Sequence, residues 1–147
     1  TGLSSYISST AGVLYAEFAG LSNVLDGTYK VLTLKGAAGG ANVILLGITS
    51  ANKIYASVGG TFISDVTPSD ITAFNKVAIK YENNNSKLFV NGVQIGATNT
   101  TATVPSGLSR LGLDSGNGGS KFHVKARDLR VYNTALTDAK LTTLTTI

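Results

Sequence analysis

The chain has 147 residues, 12 Lys and Arg against 8 Asp and Glu, and no cysteine, so disulfides, thiolate nucleophiles and cysteine-bound metals are excluded. Its formal charge of +4 is scattered without a dense basic run, which argues against a nucleic-acid partner. No stretch of about twenty apolar residues is present, so we expect no insertion into a membrane.

The first half of the chain reads as short strands separated by turn signals. The segment Gly36–Gly40 is a predicted loop, because a glycine-rich run is costly to hold in a strand. Gly59-Gly60 is a predicted hairpin turn, and residues 68–73 are a predicted loop or helical turn. The predicted strands are Val13–Phe18, Tyr29–Leu34, Asn42–Ile48, Lys53–Val58 and Thr61–Val66.

The most informative stretch is Phe74–Ile95, in which three apolar-alternating runs are separated by two turn signals. A period of two places Val77, Ile79 and Tyr81 on one face of a strand, and the next two runs alternate in the same way. Asn91-Gly92 suits a type I′ hairpin, since both residues tolerate positive φ. The stretch therefore predicts an antiparallel meander.

The remaining residues predict two more strands, a long loop and one helix. Leu108–Leu113 and Phe122–Tyr132 read as strands, and Asp114–Lys121 is the longest polar, glycine-rich loop of the sequence. Thr137–Thr143 reads as a helix capped by Thr137. About ten short strands at regular spacing favour an all-β, two-sheet antiparallel sandwich with one short C-terminal helix.

The order of these segments resembles the concanavalin A-like, laminin G-like jelly-roll domains. The hairpin KLFVNGVQIG and the closing segment DLRVYNTALTDAKL carry most of the resemblance. Family members often have Glu or Gln three residues after the capping Thr; Lys140 stands there instead, so we expect a weaker cap. The resemblance is to versions found in bacteriophage tail fibres and bacterial surface adhesins. We interpret residues 1–147 as one such domain, excised from a larger protein.

Some relatives on this fold are glycosidases, which need two carboxylates at a defined separation. The sequence has two glutamates, Glu17 and Glu82, and neither has an acidic residue two positions away on its strand. The single histidine, His123, has no nucleophile-elbow motif to accompany it, and we interpret it as an ordinary strand residue. We therefore expect a domain that is not an enzyme.

Four residues are candidate ligand contacts. Tyr55 should point outward beside Lys53, because its neighbours in the predicted strand point inward; the alternative is a surface tyrosine that covers a sheet edge. Asp114 and Asn117 share the long glycine-rich loop and carry the hard oxygen ligands that calcium prefers. No cofactor is required by the sequence, calcium is a candidate at this loop, and the alternative is that both residues form turns.

Two functions remain open at this point. The favoured one is a non-catalytic, lectin-like module that attaches a phage tail fibre or a cell-surface protein to a host polysaccharide or other cell-surface glycan. The alternative is a structural domain that caps a fibre or holds an oligomer, such as a homotrimer, together without binding sugar. Both place the domain outside the cell or on the virion surface.

Overall fold

A computed structural model of the chain describes residues 3–37 and 42–147. These residues form a short 3-10 helix at Leu3–Ser5, ten strands and one α-helix, α1 (Asp138–Thr145). The strands are β1 (Ala11–Gly20), β2 (Lys30–Lys35), β3 (Ile44–Ile48), β4 (Ile54–Val58), β5 (Thr61–Val66), β6 (Asn75–Glu82), β7 (Ser86–Val90), β8 (Val93–Asn99), β9 (Arg110–Gly112) and β10 (Val124–Tyr132).

The strands form two five-stranded antiparallel sheets. We call the sheet with the order β5-β4-β3-β2-β9 the front sheet, and the sheet with the order β10-β1-β6-β7-β8 the back sheet. The predicted two-sheet sandwich is thus confirmed. Strand β3, whose sequence is an almost continuous apolar run, lies at the centre of the front sheet, where a strand needs apolar residues on both faces.

The core lies between the two sheets and is built by alternate residues of each strand. In β4, Ile54, Ala56 and Val58 are fully buried, whereas Tyr55 and Ser57 are partly exposed. In the meander, the predicted inward residues Val77, Ile79, Tyr81 and Leu88 are also fully buried. The period-two pattern therefore assigns the two faces of these strands correctly.

The outer face of the back sheet is covered by α1. Leu141 is fully buried and packs with Val13, Tyr15, Ala78 and Phe89 in a second apolar cluster. Phe89, which lies out of phase with Leu88 and Val90, points to this outer face and is 2% exposed. The front sheet has no such helix over it among the described residues.

The hairpin between β7 and β8 has the predicted geometry. Asn91 has φ of 50° and Gly92 has φ of 86°, as a type I′ turn requires. The Asn91 side chain closes the turn from both sides: its Oδ1 accepts from the Lys76 backbone N–H at 2.9 Å, and its Nδ2 donates to Asn75 at 2.8 Å. The Gly92 N–H donates to the hydroxyl of Thr145 in α1 at 3.1 Å, so the turn also holds the helix.

Several predicted boundaries are wrong by a few residues. Strand β1 runs through Gly12 instead of starting after it, because Ala11 and Gly12 pair with Glu82 and Tyr81 of β6. Only glycine fits at this position, since a Cβ on Gly12 would lie 2.3 Å from the Tyr81 hydroxyl. Strand β9 has three residues rather than six, since the Leu108 N–H donates to the Ser9 side chain and not to a strand. Strand β10 begins at Val124, and the helix runs to Thr145.

The structure also bears on three other predictions from the sequence. Of the predicted loop Gly36–Gly40, residues 38–40 lie outside them, and Gly36 and Ala37 are not in a strand. The predicted helix cap is present, with the Thr137 side chain accepting from the Lys140 N–H at 3.4 Å. No helix within residues 3–37 and 42–147 has the length and apolar character needed to cross a lipid bilayer.

Candidate functional site

The outer face of the front sheet presents side chains that a packing helix does not cover. Across this face, Tyr55 of β4 lies opposite Asp65 of β5 on one side and opposite Gly47 of β3 on the other. Gly47 in turn lies opposite Val31 of β2. A Cβ on Gly47 would lie 2.2 Å from the Lys30 carbonyl oxygen, so glycine lets β2 approach β3 closely at this point, and an aromatic ring that precedes β2 reaches Tyr55.

That ring belongs to Tyr29, which directly precedes β2. The Tyr29 and Tyr55 rings lie edge to face, with centroids 5.6 Å apart and planes at 74°. Burial in this contact raises the pKa of the Tyr55 hydroxyl above its usual range, and the neighbouring Tyr29 adds to the rise. Tyr29 remains 43% exposed, so the pair offers an aromatic surface to solvent.

Lys53 lies at the start of β4, next to this aromatic pair. Its ammonium group pairs with the Asp65 carboxylate at 3.3 Å, and both side chains are about one-third to two-fifths exposed, at 32% for Asp65 and 41% for Lys53. The structure therefore brings Lys53 and Tyr55 together, as the sequence predicted. An exposed ion pair of this kind contributes little to stability, so Lys53 can rearrange when a ligand approaches.

A cleft of about 540 Å³ adjoins the aromatic pair through Tyr29. One wall is the β1–β2 connection, in which Leu21, Val24 and Tyr29 are exposed, and the other wall is formed by residues 120–123. The cleft is lined by Leu21, Ser22, Val24, Asp26, Gly27, Thr28, Tyr29, Lys30, Ser120, Lys121 and His123. It is wide enough for one or two sugar rings on the scale of ordinary ligand sites.

The first wall of the cleft is held by Asp26. Its carboxylate accepts from the N–H and hydroxyl of Thr28, at 3.0 and 2.8 Å, and pairs with Lys30 at 2.9 Å. Donation from Lys30 is the main cause that holds the Asp26 pKa well below its usual range, and the Thr28 donors lower it further. Gly27, with φ of 72°, completes the turn at Asp26-Gly27.

Asp114 and Asn117 lie in the loop after β9, with β3 and β2 between them and β4. The Asp114 carboxylate pairs with Lys35 at 3.0 Å and accepts from the Gly116 N–H at 2.7 Å; these contacts and the charge of Lys121 hold its pKa below the usual value. The Asn117 side-chain oxygen accepts from Ser115 and from the Gly119 N–H. Both side chains therefore build the loop, as one of the two sequence interpretations expects.

A calcium ion at this loop has to compete with those donors. Within the described part of the chain, no three His, Asp or Glu side chains are grouped closely enough to hold a metal ion. The Lys35 ammonium already occupies one face of the Asp114 carboxylate. Calcium binding by Asp114 and Asn117 stays a prediction.

A pair of carboxylates that the sequence did not suggest lies on the back sheet. Glu17 of β1 and Asp128 of β10 are directly opposite each other in the antiparallel register, and side chains at such positions are neighbours. Glu17 pairs with Arg127 at 3.3 Å and Asp128 with Arg130 at 2.5 Å. An acid whose partner comes from another strand leaves no signal in local sequence spacing, which is why this pair was missed.

Three residues of the cleft were not predicted as ligand contacts from the sequence. Tyr29 could have been found, because the alternation of residues 29–34 places it on the same face as Val31 and opposite the buried Leu32 and Leu34. Lys121 and His123 could not, since the cleft depends on how a distant loop meets them. The sequence offered Lys53, Tyr55, Asp114 and Asn117, whereas the strongest candidate site in the structure is Tyr55, Tyr29 and the adjoining cleft.

Comparison with known families gives one match that spans most of the chain. The family model described as the concanavalin A-like lectin/glucanases superfamily matches residues 22–142. A comparison with curated protein sequences finds no match.

Comparison with solved structures finds the same fold in larger proteins. Trypanosoma rangeli sialidase is similar over 92% of this chain and 22% of its own, with a TM-score of 0.70 and 14% identity. Ruminococcus gnavus IT-sialidase CBM40 is similar over 94% of this chain and 84% of its own, with a TM-score of 0.65 and 20% identity. The leech intramolecular trans-sialidase complexed with 2,7-anhydro-Neu5Ac has a TM-score of 0.66 and 20% identity, over 94% and 23% of the two chains. The chain thus spans less than a quarter of the length of the Trypanosoma rangeli and leech proteins, and most of the length of the CBM40 domain.

Proposed function

The chain belongs to the concanavalin A-like lectin/glucanases superfamily, and on that basis we propose that it is a non-catalytic, lectin-like module that binds glycans. Its site is the exposed Tyr29–Tyr55 pair together with the adjoining cleft. The similarity to a CBM40 domain over 84% of that chain agrees with this proposal as far as the fold is concerned.

The observation that carries the proposal is the aromatic pair on a sheet face that no helix covers within the described residues. A tyrosine face stacks on the C–H groups of a sugar ring, and its hydroxyl donates or accepts a hydrogen bond. Tyr55 is fixed by its strand and by Tyr29, whose ring lies 5.6 Å away, so little side-chain freedom is lost on binding. Lys53 and Asp65 stand beside the pair with polar groups for sugar hydroxyls.

We further propose that the module serves host attachment as part of a phage tail fibre or another cell-surface protein, outside the cell. A shallow site with two tyrosines gives weak binding by a single domain. Several copies on one fibre would strengthen attachment through effective concentration, without any new contact. A cell-surface polysaccharide, which repeats its own sugar units, is the partner that benefits most from such an arrangement.

A glycan array followed by calorimetric titration tests the proposal. We expect Tyr55→Ala and Tyr29→Ala each to weaken binding about tenfold or more, since stacking and a hydrogen bond are lost together. Tyr6→Ala is the matched control, because Tyr6 is 68% exposed and does not line the cleft. Glycan binding that survives both Tyr55→Ala and Tyr29→Ala would exclude this site, and a domain that binds no glycan would exclude the function.

The capping alternative is favoured by a different observation. Phe62 on β5 and Val93 on β8 are 56% and 60% exposed, although both lie in strands at the edges of their sheets. Exposed apolar residues at a sheet edge suit contact with another chain. Sedimentation velocity distinguishes the two functions: a tight trimer that Phe62→Ser dissociates, in a protein that ignores every sugar, would favour the structural role.

Absence of hydrolysis is part of the proposal and needs its own test. Glu17 and Asp128 lie directly opposite each other on neighbouring strands, and each is paired with an arginine. A general acid needs the opposite environment, one that favours its protonated form. We expect no release of reducing ends from any polysaccharide bound by the protein. Release that Glu17→Gln or Asp128→Asn abolishes would contradict the assignment as a binding module.

A further inference from the structure

We propose that the cleft beside Tyr29 binds the acidic group of an anionic glycan through Lys121 and His123. This inference rests on the proposed function and names the ligand class of the same site. The group that the cleft recognises is one negative charge on the ligand. A carboxylate or a sulfate carries it, on a sugar that stacks near Tyr29 and Tyr55.

The wall that carries Lys121 and His123 is built to hold them in place. Between them, Phe122 turns into the core and packs edge to face on Phe18, with ring centroids 5.5 Å apart. Its N–H donates to the Leu113 carbonyl at 3.0 Å. Lys121 and His123 are both exposed, and both line the cleft.

The same wall is tied to the front sheet. The Val31 N–H of β2 donates to the carbonyl of Ser120 at 3.2 Å, which extends the hydrogen bonding of β2 towards residues 120–123. The His123 N–H donates to the Lys121 carbonyl at 2.8 Å, so the two residues form a tight turn. A side chain mounted on a backbone fixed at three points loses less freedom on binding than one on a loose loop.

The charges that line the cleft do not cancel. Lys30 is neutralised by Asp26, which is the acidic residue of the lining, at 2.9 Å. Over residues 3–37 and 42–147, Lys121 forms no ion pair. The cleft therefore presents an ammonium group that forms no ion pair and an imidazole that can donate a hydrogen bond; Asp114, the acid whose pKa the Lys121 charge lowers, is itself paired with Lys35. An anion is the ligand group that satisfies both.

Matched sugar pairs test the inference by calorimetric titration. Trigalacturonate against galactotriose probes a carboxylate, and 3′-sulfolactose against lactose probes a sulfate. We expect the acidic member of one pair to bind about tenfold more tightly, the scale of one charge-assisted hydrogen bond. Lys121→Gln should reduce that ratio to near one while leaving the neutral sugar unaffected, and His123→Gln should reduce it in part.

Lys140→Gln is the control for net charge, because Lys140 is an exposed lysine on α1, at the outer face of the other sheet. Lys121→Arg keeps the charge and should keep the preference, and thermal melting shows whether each variant is folded. Equal affinity for the acidic and neutral sugars, or an equal loss in Lys140→Gln and Lys121→Gln, would overturn the inference while the glycan-binding function stands. Binding of none of the four sugars, with none on the array, would overturn both.

Discussion

Truncation of Leu141 should destabilise the contact between α1 and the back sheet without changing ligand binding at the proposed site on the front sheet. Leu141 is fully buried between α1 and the back sheet, where it packs on Phe89 and Tyr15. Truncation of a buried leucine to alanine costs about 2–5 kcal/mol, depending on how far the cavity collapses. Because α1 has eight residues and can settle towards the sheet, we expect Leu141→Ala to cost about 2–3 kcal/mol, at the lower end of that range.

Urea unfolding, followed by circular dichroism, measures this loss. Thr142→Ala is the matched control, since Thr142 is exposed on the same helix and its truncation should change the free energy of unfolding by less than about 0.5 kcal/mol. Glycan affinity should be the same in both variants, because the proposed site is on the other sheet. A loss below about 0.5 kcal/mol in Leu141→Ala would show that the docked helix is not part of the folded core.

Three further predictions follow from the turns and loops. Gly92→Val should unfold the protein far more readily than Gln94→Val, because Gly92 has φ of 86° and a Cβ there would lie 3.1 Å from the Thr146 hydroxyl; equal thermal stability of the two variants would reject the assigned turn. The depressed pKa of Asp26 means that its stabilising contribution is present above the unfolded-state value of about 3.9 and is lost as the pH falls below it. Stability of Asp26→Asn should therefore depend less on pH in acid than that of the parent protein, and parallel acid-unfolding curves would contradict this. Asp114→Ala should lower the melting temperature equally with calcium and with chelator, since Asp114 holds its loop through Lys35; a loss seen with calcium alone would identify Asp114 as a ligand.

The fold could be predicted because its determinants are local in the sequence. Alternation assigned the core faces of β4, β6 and β7, since a strand side chain can point to only one of two faces. Asn91-Gly92 fixed the register of one hairpin through its positive φ values. The strand ends were less accurate, because strand length depends on the neighbouring strand. Strand β9 lies at the edge of the front sheet, where it pairs with β2 alone among the described strands, and it stops after three residues.

The candidate site could be predicted only in part, because it is assembled by contacts distant in sequence. Tyr55 and Lys53 were found from the alternation within one strand, a property that the local sequence contains. The Tyr29–Tyr55 contact joins β2 to β4 across Gly47, and the wall with Lys121 and His123 depends on Phe122 reaching Phe18. None of these contacts has a fixed sequence spacing.

The same reasoning explains why Asp114 looked like a better ligand in the sequence than it does in the structure. An acidic residue in a glycine-rich loop has the composition of a calcium site, and composition is all that a sequence shows. The role of the Asp114 carboxylate depends on which cation lies beside it in the fold. Here β2 places the Lys35 ammonium group 3.0 Å from the carboxylate. Lys121, nine residues after the end of β9, acts on Asp114 through its charge but forms no ion pair within the described residues, and it lines the cleft. The pairing of β2 with β9 therefore places Lys35 beside Asp114, so that the Asp114 charge supports the fold. The Lys121 charge of the same loop stays available to a ligand.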